Sequence, residues 1–368
     1  MNSSLFYTLA LGLIHRLGPV SARNLIAYCG GAQAVFEATP SRLARIPGIG
    51  QKISHAIKAR DTLLQAEKEV KFCEKEGIQI LSYLDDAYPH ALKHAYDGPL
   101  ILFKKGTVDY NAQPNLAIVG TRKATEYGRE QCEVFARYFA ERGVHVVSGL
   151  AYGIDITAHR ASLQAGGMTT AVLGHGLDQV YPKSHYRKAI EMTQQGSLLT
   201  EYPSGTAIDP GNFPARNRII SGLCQGVVVI EAAEKGGALI TARFAFDQNR
   251  EVFAVPGRVG DPYSLGCLKL IRDQVAKCVI HPEEVLRELD IAWEANRSEQ
   301  LTLSLDQPVE VLNEDEGKVL TFLNRGDALI DSIAMHTRMP ISQLNSMMLG
   351  MEFRGLVKQL PGKKYRKL

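Results

Sequence analysis

Glycines, cations and one aromatic recur in this sequence at equivalent points, each just after a short apolar run. "LAIVG" ends in Gly120-Thr121-Arg122, and "HVVSG" closes on Ser148-Gly149 before Gly153, Asp155 and His159. "TTAVLG" leads through Gly174 and Gly176 to Tyr181-Pro182-Lys183, and "GVVVIE" leads through Lys235 to Gly236-Gly237 and Thr241. "SLLTE" supplies Glu201 and is followed by "NFPARNRIIS", which holds Phe213, Arg216, Asn217 and Arg218. Glycine lets a backbone approach a ligand closely, and a helix that starts after such a turn aims its N–H groups at an anion. Ser148-Gly149 with Gly153, and Gly236-Gly237, therefore read as two phosphate cradles, although a lone glycine turn also serves as a plain strand-to-helix link. Arg122, Lys183, Arg216 and Arg218 add a cation at several of the same ends. That coincidence points to phosphate-bearing material.

The segment 212–221 sharpens the case. Pro214 suits the first turn of a helix, yet cations sit badly at an N-terminus that already carries partial positive charge. An anionic partner lying across this point resolves the conflict. Residues two apart on a helix diverge by ~200°, so one of Arg216 and Arg218 can instead brace Glu201 or Glu231. Phe213 reads as an exposed platform for a base, with core packing as the rival. Asp155 and His159, at i and i+4, read as a mutually hydrogen-bonded pair that pins its loop rather than as acid–base machinery.

Other chemistries are disfavoured. No G-x-G-x-x-G follows the first strand, which argues against a dinucleotide cofactor, and no G-x-S-x-G elbow is present. The six cysteines are scattered without a C-x-x-C pair, against a zinc site or disulfide framework and in keeping with a reducing cytosol. No cofactor or metal is expected. A net charge of +3 is too small to mark a nucleic-acid binder by itself, so any basic footprint must be local. No segment reaches the ~18–20 apolar residues of a membrane span, and Leu5 to Ile14, with no cation before it, reads as an amphipathic helix. A soluble, cytoplasmic protein is expected.

The elements that must position these residues fall into regions, as 368 residues suggest. Residues 1–76 read as short helices in two similar units, of which "LARIPGIGQKISHAIKA" looks like a helix-hairpin-helix. There Gly48, Gly50 and Lys52 either meet a phosphate or simply make a tight turn. Residues 77–290 alternate apolar strands (116–120, 145–149, 169–174, 197–201, 226–231, 251–257) with helical stretches. That pattern predicts an α/β, Rossmann-like doubly wound parallel sheet, with 78–112 as an edge extension. Its ligands gather beyond the carboxyl ends of the strands. Residues 291–313 read as a linker, and 314–368 as a winged helix whose wing carries Lys363, Lys364, Arg366 and Lys367. Those charges are secondary candidates for DNA contact, while the methionine-rich "ISQLNSMMLGMEF" fits a small core or a protein contact equally well.

"AIVGTRKATEYG", "VVSGLAYGIDITAH", "AVLGHGLDQVYP", "LLTEYP", "FPARNRIISGL" and "VVVIEAAEKGGALITARFA…VFAVPG" together resemble the DNA-processing protein A family (DprA/Smf). The resemblance implies a single-stranded DNA-binding protein that is not an enzyme and dimerises through its Rossmann-like domain. It also implies a role in loading RecA recombinase onto incoming strands during natural transformation. By position it makes Arg122 a phosphate contact, sets Ser148, Gly149 and Gly153 near the DNA backbone, and makes Phe213 the aromatic that meets a base. The lysine that some relatives carry before that aromatic is missing from "DPGNF", so Lys183 is expected to compensate. Two rivals stand beside this reading. One is a nucleotide-binding hydrolase of the glycosidic bond, for which "KGGALITAR" puts Arg243 where a carboxylate is needed. The other is a winged-helix transcription regulator.

Overall fold

Leu116–Val119 and Val227–Ile230 are apolar at every position, which a strand tolerates only when both of its faces are covered. Both lie at the centre of a nine-stranded sheet in the computed structural model, which describes residues 3–291, 313–324, 326–360 and 364–367. The strands are β1 (Gln79–Ser82), β2 (Ile101–Gly106), β3 (Asn115–Gly120), β4 (His145–Ser148), β5 (Thr169–Val172), β6 (Gly196–Thr200), β7 (Gly226–Glu231), β8 (Glu251–Ala254) and β9 (Lys277–Cys278). Their spatial order is β1-β2-β6-β5-β4-β3-β7-β8-β9. From β6 to β9 all neighbours are parallel, whereas β2 runs antiparallel to β6 and β1 antiparallel to β2. The edge extension expected at 78–112 is this antiparallel pair. Strand order reverses between β3 and β7, so the crevice of a doubly wound sheet must open there.

Six helices precede the sheet: α1 (Ser3–Gly12), α2 (Pro19–Cys29), α3 (Ala32–Glu37), α4 (Pro40–Leu43), α5 (Gln51–Ala59) and α6 (Asp61–Glu76). The change of pattern expected at residue 76 falls at the α6–β1 junction. The core is continuous across it, joining Leu9, Leu25, Phe36 and Ile57 to Leu100, Ile101 and Phe103 around β2. Residues 1–294 form one compact unit. The remaining helices of this unit are α7 (His90–Lys93), α8 (Glu126–Glu141), α9 (Ile154–Gln164), α10 (Tyr186–Gln195), α11 (Asn212–Leu223), α12 (Gly237–Asp247), α13 (Leu265–Arg272) and α14 (Pro282–Glu288).

Alternation along the central strands separates two cores, as the two-residue period of a strand requires. Ala117, Val119, Val227 and Val229 face Ile219 and Ile220 of α11 and Ala238 and Ala242 of α12. Leu116, Ile118, Val228 and Ile230 face Phe135 and Phe139 of α8 and Ala158 of α9. Thr125 caps α8, accepting from the Gly128 N–H at 3.1 Å and donating to the buried Glu231 carboxylate at 2.6 Å.

The second compact unit, 295–368, is a winged helix over its described residues. Asn313 opens α15 (Glu314–Leu323) with a capping box shared with Glu316. A short strand β10 (Ala328–Leu329), α16 (Ile330–Thr337), α17 (Ile341–Phe353), β11 (Val357–Leu360) and β12 (Lys364–Lys367) follow, and the strands order as β10-β12-β11. Of the methionines in α17, Met348 and Met351 are buried with Leu344 and Met347 packs partly buried against them, which places all three in the small core. The expected linker lies mostly outside the described residues, as does Lys363.

Candidate nucleic-acid interface

A cleft of about 560 Å³ opens at the switch point, beyond the carboxyl ends of β3 and β7. Its wall begins with Gly120, the last residue of β3, and continues through Thr121-Arg122-Lys123. This segment is held by its neighbours: the Thr121 N–H donates to the Glu231 carbonyl at 2.7 Å, and the Ile154 N–H donates to the Thr121 carbonyl at 3.2 Å. Gly153 makes the second contact possible. It has φ +76°, and a Cβ there would lie 2.2 Å from the Thr121 carbonyl oxygen. The turn into α9 thus buttresses the wall.

Arg122 is exposed, and its guanidinium lies over the Phe213 ring at 5.8 Å from the centroid. Phe213 sits in the first turn of α11, half-buried, with the Tyr181 ring 5.7 Å away at 36°. Arg122, Phe213 and Tyr181 all line the cleft. Among the described residues no carboxylate pairs with Arg122. Opposite them, Gly236 caps α12 and Gly237 opens it, with nothing within 4 Å of where a Gly237 Cβ would stand. The first turn of α12 therefore presents backbone N–H groups and the positive end of a helix dipole to open space.

Other expected contacts are placed differently. Arg216 is buried, and its Nη1 donates to the Gly149 carbonyl at 3.0 Å and also to the Val172 carbonyl. Asp155 stands beside it, with Oδ2 accepting from the N–H groups of Gly149 (3.2 Å) and Ala151 (3.3 Å). A Cβ on Gly149 would come within 2.7 Å of both the Arg216 Nη2 and the Asp155 Oδ2. The glycine leaves room for this buried pair, and its N–H serves the carboxylate instead of a phosphate. Burial pushes the Arg216 guanidinium down to about 10 against the pull of Asp155. Burial likewise raises the Asp155 carboxyl above its ordinary value, opposed by Arg216 and the two N–H groups. The pair forms the floor of the cleft, and its opposite charges offset one another.

Ser148 is buried and its hydroxyl donates to the Ile118 carbonyl at 2.6 Å. Arg218 pairs with Glu201 at 2.5 Å and reaches Asp97 at 3.7 Å; its side chain is only 13% exposed, so its charge is committed to the fold. Burial raises the Glu201 carboxyl and Arg218 opposes that rise. The conflict posed by "NFPARNRIIS" thus has an internal answer, since Arg218 pairs with Glu201 and Arg216 is bonded to buried carbonyl oxygens with Asp155 close by. Asn217 lines the cleft and its Oδ1 accepts from Arg216 Nε at 3.2 Å. Lys183 is exposed in a 3-10 turn, Lys183–His185, and does not line the cleft. His159 bonds to Thr169 Oγ1 at 2.7 Å instead of to Asp155, so the carboxylate alone pins the loop.

Gly48 (φ +82°), Gly50 (the cap of α5) and the exposed Lys52 share one turn. In the wing Lys364 is exposed, while Arg366 is held by Asp327 at 2.7 Å. Sequence reasoning passed over Lys123 as a lining cation, although it adjoins Arg122, and gave Tyr181 no role of its own. It also missed the Asp155–Arg216 floor, whose two members lie too far apart in the chain to leave a local signal.

A model of the family described as DNA recombination-mediator protein A matches residues 79–290, which carry the whole cleft. The chain belongs to this family. A second family model, the DprA winged helix domain, matches residues 304–363. Protein Smf of Escherichia coli is 38% identical over 317 residues, covering 82% of this chain and 83% of that one. The DNA processing protein DprA of Streptococcus pneumoniae is 44% identical over 209 residues, covering 57% and 73%. Among solved structures, DNA processing protein A from Streptococcus pneumoniae aligns with a TM-score of 0.68 at 33% identity, over 80% of this chain and 99% of that one. DNA processing protein A from Helicobacter pylori, described for its single-stranded DNA binding mode, aligns with a TM-score of 0.53 at 28% identity, over 59% and 97%. The sheet and the winged helix of this chain are separate compact units, each matched by its own family model.

Proposed function

We propose that the switch-point cleft grips single-stranded DNA without cleaving it and that the chain passes the strand to RecA recombinase. The observation that carries the binding reading is the stack of Arg122 over Phe213 beside Tyr181, facing the open N-terminus of α12. A single strand needs cations for its phosphates and aromatic faces for its bases, and both are placed together here. Family membership supports the same reading, since a relative's solved structure concerns single-stranded DNA. The RecA hand-over and a homodimer through the α/β unit rest on the family resemblance, as does work on incoming strands in the cytoplasm.

Binding without turnover is favoured by the carboxylate that lines the cleft. Asp155 already accepts two backbone N–H bonds and faces Arg216, an arrangement that leaves it ill placed to carry a proton to and from a substrate. The test is anisotropy with matched single- and double-stranded oligonucleotides. Single strand is expected to bind more tightly, and Phe213→Ala to weaken it by about 1–3 kcal/mol. Equal affinity for duplex, or full affinity without the ring, contradicts the reading.

A further inference from the structure

The cleft's aromatic wall does not stop at its rim. Tyr181 lines the cleft and is 44% exposed, and the chain runs from it through the exposed Lys183 and Ser184. Ser184 Oγ donates to the Tyr152 hydroxyl at 3.1 Å, and the Tyr152 ring meets His185 edge-on at 4.9 Å. Tyr152 is 50% exposed and directly follows Ala151, itself a lining residue of the cleft. Two loops, one after β4 and one after β5, are thereby tied together just outside the rim. One loop displays the half-exposed Tyr152, and the other carries the exposed Lys183 next in sequence to its bonded Ser184. The hydroxyl of Tyr152 is held by Ser184 while half of the residue's surface stays open to solvent.

We infer that this patch is an exit track: a single strand leaving the cleft over Phe213 and Tyr181 continues across Tyr152, with Lys183 on its phosphates. The inference rests on the proposed cleft reading and gives the strand a direction, toward the β5 side of the switch point. Two observations and one general property of stacking favour the same strand as the occupant. The track is continuous with the Phe213–Tyr181 contact, its exposed charge is a cation, and stacking on a tyrosine face is indifferent to sequence. It also gives Lys183 a place that the cleft itself does not.

A length series of oligothymidylates separates this inference from the reading beneath it. In anisotropy titrations of the full chain, Arg122→Ala should weaken every length. Tyr152→Ala should leave the shortest oligonucleotide that binds unaffected and weaken longer ones about 5- to 10-fold, in the range of one stacked base. Tyr152→Phe, which keeps the ring and loses the bond to Ser184, should bind long oligonucleotides like the parent chain. Lys183→Ala should lower the salt dependence for long oligonucleotides only. If Arg122→Ala weakens all lengths while Tyr152→Ala weakens none, the track is wrong and the cleft stands. If Tyr152→Ala weakens all lengths equally, Tyr152 belongs to the cleft or its support and the track is again wrong. If Arg122→Ala changes nothing, the cleft reading falls and takes the track with it.

Discussion

Arg216 and Arg218, two positions apart on α11, end in different surroundings, and neither presents its charge freely to a ligand. Arg216 lies under the cleft against Gly149, Val172 and Asp155, while Arg218 turns to Glu201 and Asp97. Removing Arg216 strands a buried carboxylate and two carbonyl oxygens, so Arg216→Leu should cost about 3–5 kcal/mol of stability in urea unfolding. A loss below about 1 kcal/mol would show that the floor is not held this way. Arg216→Lys should rescue only part of this, because one ammonium does not reproduce the planar fork. Gly149→Ala is expected to act through the same pair, costing about 1–3 kcal/mol as its methyl forces the two side chains apart. In all three variants DNA affinity should fall only as far as folding does. Arg122, by contrast, should affect binding and leave stability within about 0.5 kcal/mol.

At the scale of elements, a closed polar ring crosses β3 to β6 on the sheet. Asn115 Nδ2 donates to the Tyr110 carbonyl at 2.8 Å, which leaves Asn115 Oδ1 to accept from His145 Nδ1 at 2.7 Å. His145 Nε2 is then the acceptor for Thr170 Oγ1 at 2.9 Å, and Thr170 accepts from Ser197 (2.6 Å), which accepts from the Tyr110 hydroxyl (2.8 Å). Every member is satisfied only while the imidazole is neutral. Burial accordingly pulls His145 down from 6.5 to about 3, and His159 of α9 likewise. The unfolded chain takes up these protons below 6.5 and the folded chain does not. Stability should therefore be complete above that pH and decline as pH falls toward 3, by up to about 1.4 kcal/mol per pH unit for each histidine. Unfolding of His145→Gln at pH 7.5 and 5.5 should show a shallower pH slope than the parent chain, and an equal slope would count against this assignment.

The same elements mark what the sequence makes legible. Continuous apolar runs such as "LAIVG" and "GVVVIE" can be nothing but doubly covered strands, and the sheet follows from them. The glycine turns were readable as close approaches, but not what approached. At Gly153 it is the neighbouring backbone and at Gly149 the buried Arg216 and Asp155 side chains, both long-range neighbours without local signature. Arg122 and Phe213 could each be named from the sequence, while their contact between the loop after β3 and the first turn of α11 could not.

For the whole molecule, the two compact units and two family matches divide the chain alike, and the cleft is complete within the first. A chain ending at 291 should keep its unfolding cooperativity and most of its single-strand affinity. Loss of binding with the fold intact would move the site to the winged helix. The modest charge of +3 means that attraction to DNA must come from a few placed cations and not from the overall field. The most direct test is therefore the salt dependence of single-strand affinity for the parent chain and Arg122→Ala. A phosphate contact at Arg122 predicts a slope of log K against log salt that is shallower by about 0.7 in the variant. An unchanged slope would mean that Arg122 touches no phosphate and that the cleft is not the grip.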